Sequence, residues 1–208
     1  MGVLRPAFWG RAKAELASRD PVMNGIIRAF PRVSLEGRGD PFRTLARAIV
    51  GQQISVKAAG SIWTRLLHIA PEMLPAQIAT ANLADLMSCG LSERKVEYIW
   101  ELAKACLSGS LRVREWAHLD DELVVADLVK VRGIGRWTAE MFLMFNLLRP
   151  DVLPLDDRGL QNAISHYYFL GVPVTRHYTI ELAEIWRPWR SVATWYLWRS
   201  LEAAPSDY

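Results

Sequence analysis

Cysteine is scarce in this chain: Cys89 and Cys106 are the only two in 208 residues. Two thiols cannot form a disulfide framework and are too few for a four-cysteine metal or iron–sulfur site. Both are expected as buried free thiols, with no iron–sulfur cluster. Long apolar runs are missing too, since no stretch approaches the roughly 20 residues that cross a bilayer, so no membrane partner is expected. The start, MGVLRPAFWGRAKAEL, carries early positive charge but lacks the continuous apolar core and small-residue cleavage site of a secretory leader, so a cytoplasmic location is expected. Runs of alternating apolar and polar residues with strand-like composition are absent, which predicts an all-α fold. Charge is nearly balanced, with 25 Lys and Arg against 22 Asp and Glu. The resulting +3 and the pI near 9.0 permit a polyanionic partner without requiring one.

What is present is helical periodicity and tryptophan. The length allows one sizeable domain or two small lobes sharing a cleft. Nine tryptophans are a heavy load, and four of them fall at 186, 189, 195 and 198. Core packing accounts for most; at least one is expected to line a pocket. Asp40-Pro41 supplies a cap and a first-turn proline for FRTLARAIVGQ, a helix ending near Gly51. Ser55 caps VKAAGSIWTRLLHIA, and Ser92 caps ERKVEYIWELAKACLSG, which stops at Gly109. Asp120-Asp121 precedes ELVVADLVKV. The predicted lobes are 1–44 with 158–208, and 45–157. The second carries a hairpin over about 123–146 and the loop LLRPDVLPLDD, whose two prolines and missing period make it extended. Asp156 and Asp157 are expected where the lobes meet, in a cleft that would serve as active site.

In ELVVADLVKVRGIGRWTAEMFLMF, Leu123, Leu128 and Val131 are assigned to the apolar face of a first helix. Trp137, Met141, Met144 and Phe145 are assigned to a second. Gly133 and Gly135 lie between. Glycine admits positive φ and close backbone approach, so such a turn can aim successive N–H groups at an oxyanion such as phosphate, with Arg132 and Arg136 adding charge. A tight helix connection that binds nothing fits the glycines equally well. Asp157 stands where it would cap RGLQNAISHYYF, and an isolated aspartate there is commonly no more than a cap.

VRGIGRWTAEMF resembles the helix-hairpin-helix motif of the DNA glycosylase superfamily. The likeness extends through PFRTLARAIVGQQIS, GLSERKVEYIWELAKACLSG, VLPLDDRGLQNAI and WRPWRSVATWYLW, in the order and spacing of the bacterial 3-methyladenine DNA glycosylase II group. The resemblance implies the two-lobed helical glycosylase fold, without the N-terminal β-rich domain of the better-known bacterial enzyme. It implies that backbone amides of Gly133, Ile134, Gly135 and Arg136, with Thr138 beside them, grip a DNA phosphate. The carbonyls of Val129, Val131 and Ile134 would hold a monovalent Na+ or K+; no metal or other cofactor is required for the reaction. Arg132 stands where the superfamily often has proline.

Counting from the hairpin tryptophan, the resemblance places the essential aspartate at Asp157, beside Asp156. It puts the side chain that fills the hole left by a flipped base at Gln53, supported by Gln52 and followed by Ser55. The better-known enzyme has an apolar wedge there. Trp137 and Trp198 become the base-pocket walls, and Met141 takes a third position that is aromatic in the relative. Cation–π attraction of about 0.5–2 kcal/mol per ring would favour positively charged alkylpurines. Trp186, Trp189 and Trp195 are left to the core. Relatives that also cut the strand carry a lysine where this chain has Trp137, so a monofunctional enzyme is implied. Arg43, Arg47, Lys57, Arg94, Lys95 and Arg136 are basic residues near the implied DNA face.

The implied activity is DNA repair: flipping 3-methyladenine- or 7-methylguanine-type bases from double-stranded damaged DNA and hydrolysing the N-glycosidic bond. An abasic site is left for base excision repair. A monomer is expected, nucleoid-associated during repair. Two alternatives stay open: a non-catalytic helix-hairpin-helix DNA-binding module, which needs no acid, and the same scaffold acting on a deaminated purine or 1-methyladenine.

Overall fold

A computed structural model describes residues 5–201, and among them every regular element is a helix. The first six are α1 (Trp9–Arg19), α2 (Pro21–Ala29), α3 (Pro41–Gly51), α4 (Val56–Ile69), α5 (Pro75–Thr80) and α6 (Leu83–Ser88). Then come α7 (Glu93–Ser108), α8 (Asp121–Leu128), α9 (Arg136–Phe145), α10 (Arg158–Tyr168), α11 (Arg176–Ala183), a 3₁₀ turn at Glu184–Trp186, and α12 (Arg190–Leu201). The chain divides into two compact units, one from the segments up to Gly37 and from Leu143 onward, the other from Arg38–Phe142.

Local chemistry sets the helix ends. The Asp40 carboxylate accepts from the Arg43 N–H at 2.8 Å and starts α3 behind Pro41. Ser55 and Ser92 hydroxyls do the same for α4 and α7, accepting from Ala58 and Lys95 N–H groups at 3.2 and 3.4 Å. Gly109, at φ +73°, ends α7 in the left-handed region that disfavours any residue with a Cβ.

In the middle unit α7 is the central element, packed against α3, α5 and α6. Leu45, Ile49 and Val50 of α3 and Val96, Ile99 and Leu102 of α7 are buried in that core. The face that α8 buries differs from the sequence expectation. Leu123 is 46% exposed, and the buried side is Val124, Val125, Asp127 and Leu128. The reason is Asp127, a carboxylate 1% exposed. Arg112 donates to both its oxygens at 2.8 and 3.0 Å, with Lys130 at 2.9 Å and the Trp116 indole at 3.3 Å. These donors, Arg112 first, outweigh the burial that opposes them and hold the Asp127 carboxyl at about 2. A polar anchor thus rotates a helix that hydrophobicity alone would have set differently. Cys89 is buried as expected; Cys106 is half-buried instead, its thiol pushed up to about 11 chiefly by burial.

The other unit is built on tryptophan. Trp9 meets Trp195 edge-on at 5.3 Å and stacks on Tyr196 at 5.7 Å. Trp186, Trp189 and Trp195 are all buried in this core. Asp20 caps α2 from within it: one carboxylate oxygen accepts from the Val22 and Met23 N–H groups, the other from the Tyr168 hydroxyl at 2.5 Å and the Trp186 indole at 2.9 Å. Burial, with Asp20 adjacent, drives the Tyr168 phenol far above its ordinary range.

The observed boundaries differ from the predicted 44/45 and 157/158: residues 38–44 group with the middle unit and residues 143–157 with the terminal segments. Asp151 is held by Arg190 at 2.7 and 3.0 Å and by Arg187 at 3.0 Å. The Ser191 hydroxyl donates to the Arg149 carbonyl at 2.6 Å and accepts from the Val152 N–H at 2.9 Å. Composition locates the loop; partners some forty residues away in sequence decide which unit owns it.

Candidate functional site

The hairpin turn follows α8. Val131 N–H donates to Leu128 carbonyl at 3.1 Å and Ile134 N–H to Val131 carbonyl at 3.0 Å, so the chain reverses within Val129–Gly135. Gly133 has φ +89°, and a Cβ there would overlap the Tyr98 ring of α7, so glycine is required twice over. Gly135 has open space where a Cβ would stand, and it is exposed immediately before α9. Ile134 is buried and pins the turn. Thr138 is 5% exposed, its side chain packed inside at the start of α9. Of the three carbonyls assigned to a cation, that of Val131 already spends one of its two lone pairs on Ile134.

The flanking arginines are paired within the protein. Arg132 bridges to Glu97 of α7, and Arg136 meets Glu140 at 3.0 Å and Glu122 at 3.1 Å. Arg136, hydrogen-bonded to Glu122, lowers that carboxyl. The Arg132–Glu97 and Arg136–Glu122 pairs are exposed and contribute about 0–1 kcal/mol each, whereas Glu140 is buried.

The GQQIS loop lies in the same unit and touches the hairpin. The Gln52 amide donates to the Gly133 carbonyl at 2.8 Å. The Lys95 ammonium, half-buried and lowered by desolvation, donates to the carbonyls of Val50 and Gln52 at 2.8 and 2.7 Å. Gln53 is exposed with φ +58°, a left-handed backbone uncommon for a residue with a Cβ. Ser55 spends its hydroxyl on capping α4. Of the other basic residues, Arg43 and Arg47 lie over the Trp63 ring at 6.0 and 5.8 Å, while Lys57 and Arg94 are exposed. Trp137 is 44% exposed on α9, and Met141, one turn on, is half-buried.

The two carboxylates of VLPLDD part company. Asp156 is on the surface, ion-paired with Arg176. Asp157 is 9% exposed and is the N-cap of α10, as its position before RGLQNAI implied. Its Oδ1 accepts from the Leu160 N–H at 2.6 Å and from the Trp198 indole at 2.7 Å. The Trp198 ring lies nearly parallel to Phe145 at 6.1 Å, so one tryptophan has a stacked face and a polar edge that orients the acid. Sequence reasoning cast Trp198 as a wall and missed this bond. It also missed Gly159, whose absent Cβ would stand 3.0 Å from Trp198 and 3.1 Å from Asp157 Oδ1. The signal was a glycine inside the first turn of a helix, where it otherwise only weakens helix formation.

Comparisons with known proteins agree with this architecture. Residues 46–188 match the family described as HhH-GPD superfamily base excision DNA repair protein. The chain is similar to DNA-3-methyladenine glycosylase 1 of Schizosaccharomyces pombe, 35% identical over 206 residues, covering 95% of this chain and 89% of that protein. It superposes on the solved S. pombe 3-methyladenine DNA glycosylase in complex with abasic DNA with TM-score 0.80 and 31% identity, over 95% of this chain and 100% of that one. For the DNA-3-methyladenine glycosidase from Bacillus halodurans the TM-score is 0.84 at 31% identity, covering 98% and 94%. On the family match and these two likenesses, the chain belongs to the HhH-GPD superfamily of base excision DNA repair proteins.

Proposed function

We propose that this protein is a DNA glycosylase that excises alkylated purines of the 3-methyladenine and 7-methylguanine type from double-stranded DNA. The observation that carries the reading is Asp157, a nearly buried carboxylate oriented by one main-chain and one indole N–H. As the glycosidic bond lengthens, its electron pair leaves with the positively charged base and the deoxyribose becomes oxocarbenium-like. A fixed carboxylate stabilises that charge and orients the water whose oxygen bonds to C1′. An abasic site results. The base must first leave the stack, and Gln53, exposed on its constrained loop, is the wedge in this reading.

The first N–H groups of a helix have no intrahelical acceptors. Those of α9, introduced by exposed Gly135, would take a DNA phosphate, with a Na+ or K+ on the carbonyls of Val129, Val131 and Ile134. Trp137 and Trp198, with Met141, would contact the base. Because Trp137 replaces the lysine of strand-cutting relatives, no Schiff base forms and the phosphodiester stays intact. We further assign the protein as a cytoplasmic, nucleoid-associated monomer whose catalytic step uses no cofactor.

The test is release of methylated bases from alkylated duplex DNA by the wild type and by Asp157→Asn. Release by the wild type alone, with nicks appearing only after alkali and no borohydride-trapped adduct, is the expected result. Undiminished release by Asp157→Asn would overturn the assignment of Asp157, and a trapped adduct would overturn the monofunctional reading.

A further inference from the structure

The middle unit holds its two DNA-directed loops with one helix face. On α7, Lys95 and Tyr98 are three residues apart and therefore neighbours on the helix surface. Lys95 Nζ reaches the carbonyls of Val50 and Gln52 at the C-terminal end of α3, where a cation meets the helix's outward carbonyls and negative dipole end. The Tyr98 ring covers Gly133 so closely that no side chain fits between them. Glu97, between these two, pairs with Arg132 of the same turn. The two loops are also joined directly, through the Gln52 amide on the Gly133 carbonyl. Gln53 follows the residue held from both sides and is left exposed at φ +58°. Gln52 and Gln53 are the middle residues of a turn closed by the Ile54 N–H on the Gly51 carbonyl at 3.5 Å, and the tethers on Gln52 hold that turn against α7 and the hairpin.

We propose that Lys95 is a positioning residue for base flipping: by fixing the Val50 and Gln52 carbonyls against α7, it presents Gln53 in register with the phosphate-gripping hairpin. This rests on the reading of Gln53 as the wedge. Lys95 touches neither substrate nor reacting atoms. Its ammonium donates to two carbonyls, which sets it apart from the solvated surface charge that its sequence position suggests.

The experiment compares single-turnover excision of 7-methylguanine paired with cytosine in duplex DNA and in an unpaired bubble. A 2-aminopurine neighbour reports unstacking. Lys95→Met removes the donors and keeps most of the stem; Lys95→Arg keeps a donor; Gln53→Ala removes the wedge. Both Gln53→Ala and Lys95→Met are expected to slow excision from the paired site by about tenfold to a hundredfold, as small misplacements do. The 2-aminopurine signal should fall with them, while excision from the bubble, where unstacking is cheap, stays near wild type. The double variant should be no worse than either single one, and Lys95→Arg should recover most of the loss.

If Gln53→Ala loses paired-site excision and Lys95→Met does not, Lys95 is no positioning residue and the wedge stands. If Lys95→Met slows both substrates equally, its role is structural and the proposal falls. If Gln53→Ala behaves as wild type on both substrates, the wedge reading fails and the proposal with it. Should Lys95→Met not fold, Gln52→Leu cuts the tether to the hairpin and is judged on the same two substrates.

Discussion

Two helices of this protein begin in opposite ways. α10 begins on Asp157, which brings its own acceptor to the first turn and is held there by Trp198. α9 begins after Gly135, which has no side chain to accept anything. The same main-chain geometry thus serves two purposes: a start filled by an internal carboxylate keeps an acid in place, and a start opened by glycine suits an external anion. The surroundings follow suit. Around Asp157 the partners are an indole and an amide, both buried or half-buried, whereas Arg132 and Arg136 beside the hairpin are exposed and paired at the surface with Glu97 and Glu122.

The contrast is broken most directly at Asp157. Asp157→Asn keeps an oxygen at the cap and removes the charge; single-turnover excision should fall by about 10²–10³ or more, while affinity for abasic duplex, measured by anisotropy, stays within a few-fold. Trp198→Phe sharpens the point, since it keeps an aromatic ring and removes one donor to a carboxylate. Excision should fall by about tenfold to a hundredfold, matching a charge-assisted hydrogen bond, with little change in the urea midpoint.

On the hairpin side, Gly133→Ala forces a Cβ into Tyr98 at a positive φ. It should cost about 1–3 kcal/mol of stability by urea denaturation and weaken DNA binding to damaged and undamaged duplex alike. Equal affinity and stability in that variant would show that the turn relaxes freely. The smallest effect concerns acid. Asp127 titrates at about 2 instead of 3.8, so its pairing stabilises the folded state above pH 3.8, and that contribution is lost as pH falls through 2. The stability difference between wild type and Asp127→Asn, at most about 2 kcal/mol from this source, should be constant near neutrality and shrink between pH 4 and 2.

Residues that act on their immediate neighbours were legible in the sequence. Asp40, Ser55, Ser92 and Asp157 cap the helices they precede, and Gly109 ends the one it follows. What escaped were pairs joined across the chain. The Asp127 anchor, which turns α8 and exposes Leu123, depends on Arg112 and Trp116 lying beside it in space. The Trp198 bond to Asp157 spans 41 residues and is admitted by Gly159, which in the sequence reads only as a weak point in a helix. Lys95 read as one more surface cation until its two carbonyl partners were known.

Read alone, the chain placed α3, α4 and α7 with their caps, the Gly-Ile-Gly turn and the aspartate that opens α10. Each depends on backbone preferences and on hydrogen bonds reaching no more than a turn or so along the chain. Folding in three dimensions settled which unit owns the loop before Asp157, which indole holds that acid, and what the Gln52 amide and carbonyl meet. Those outcomes depend on a few directional contacts between distant segments, and no local propensity encodes where two distant segments will meet.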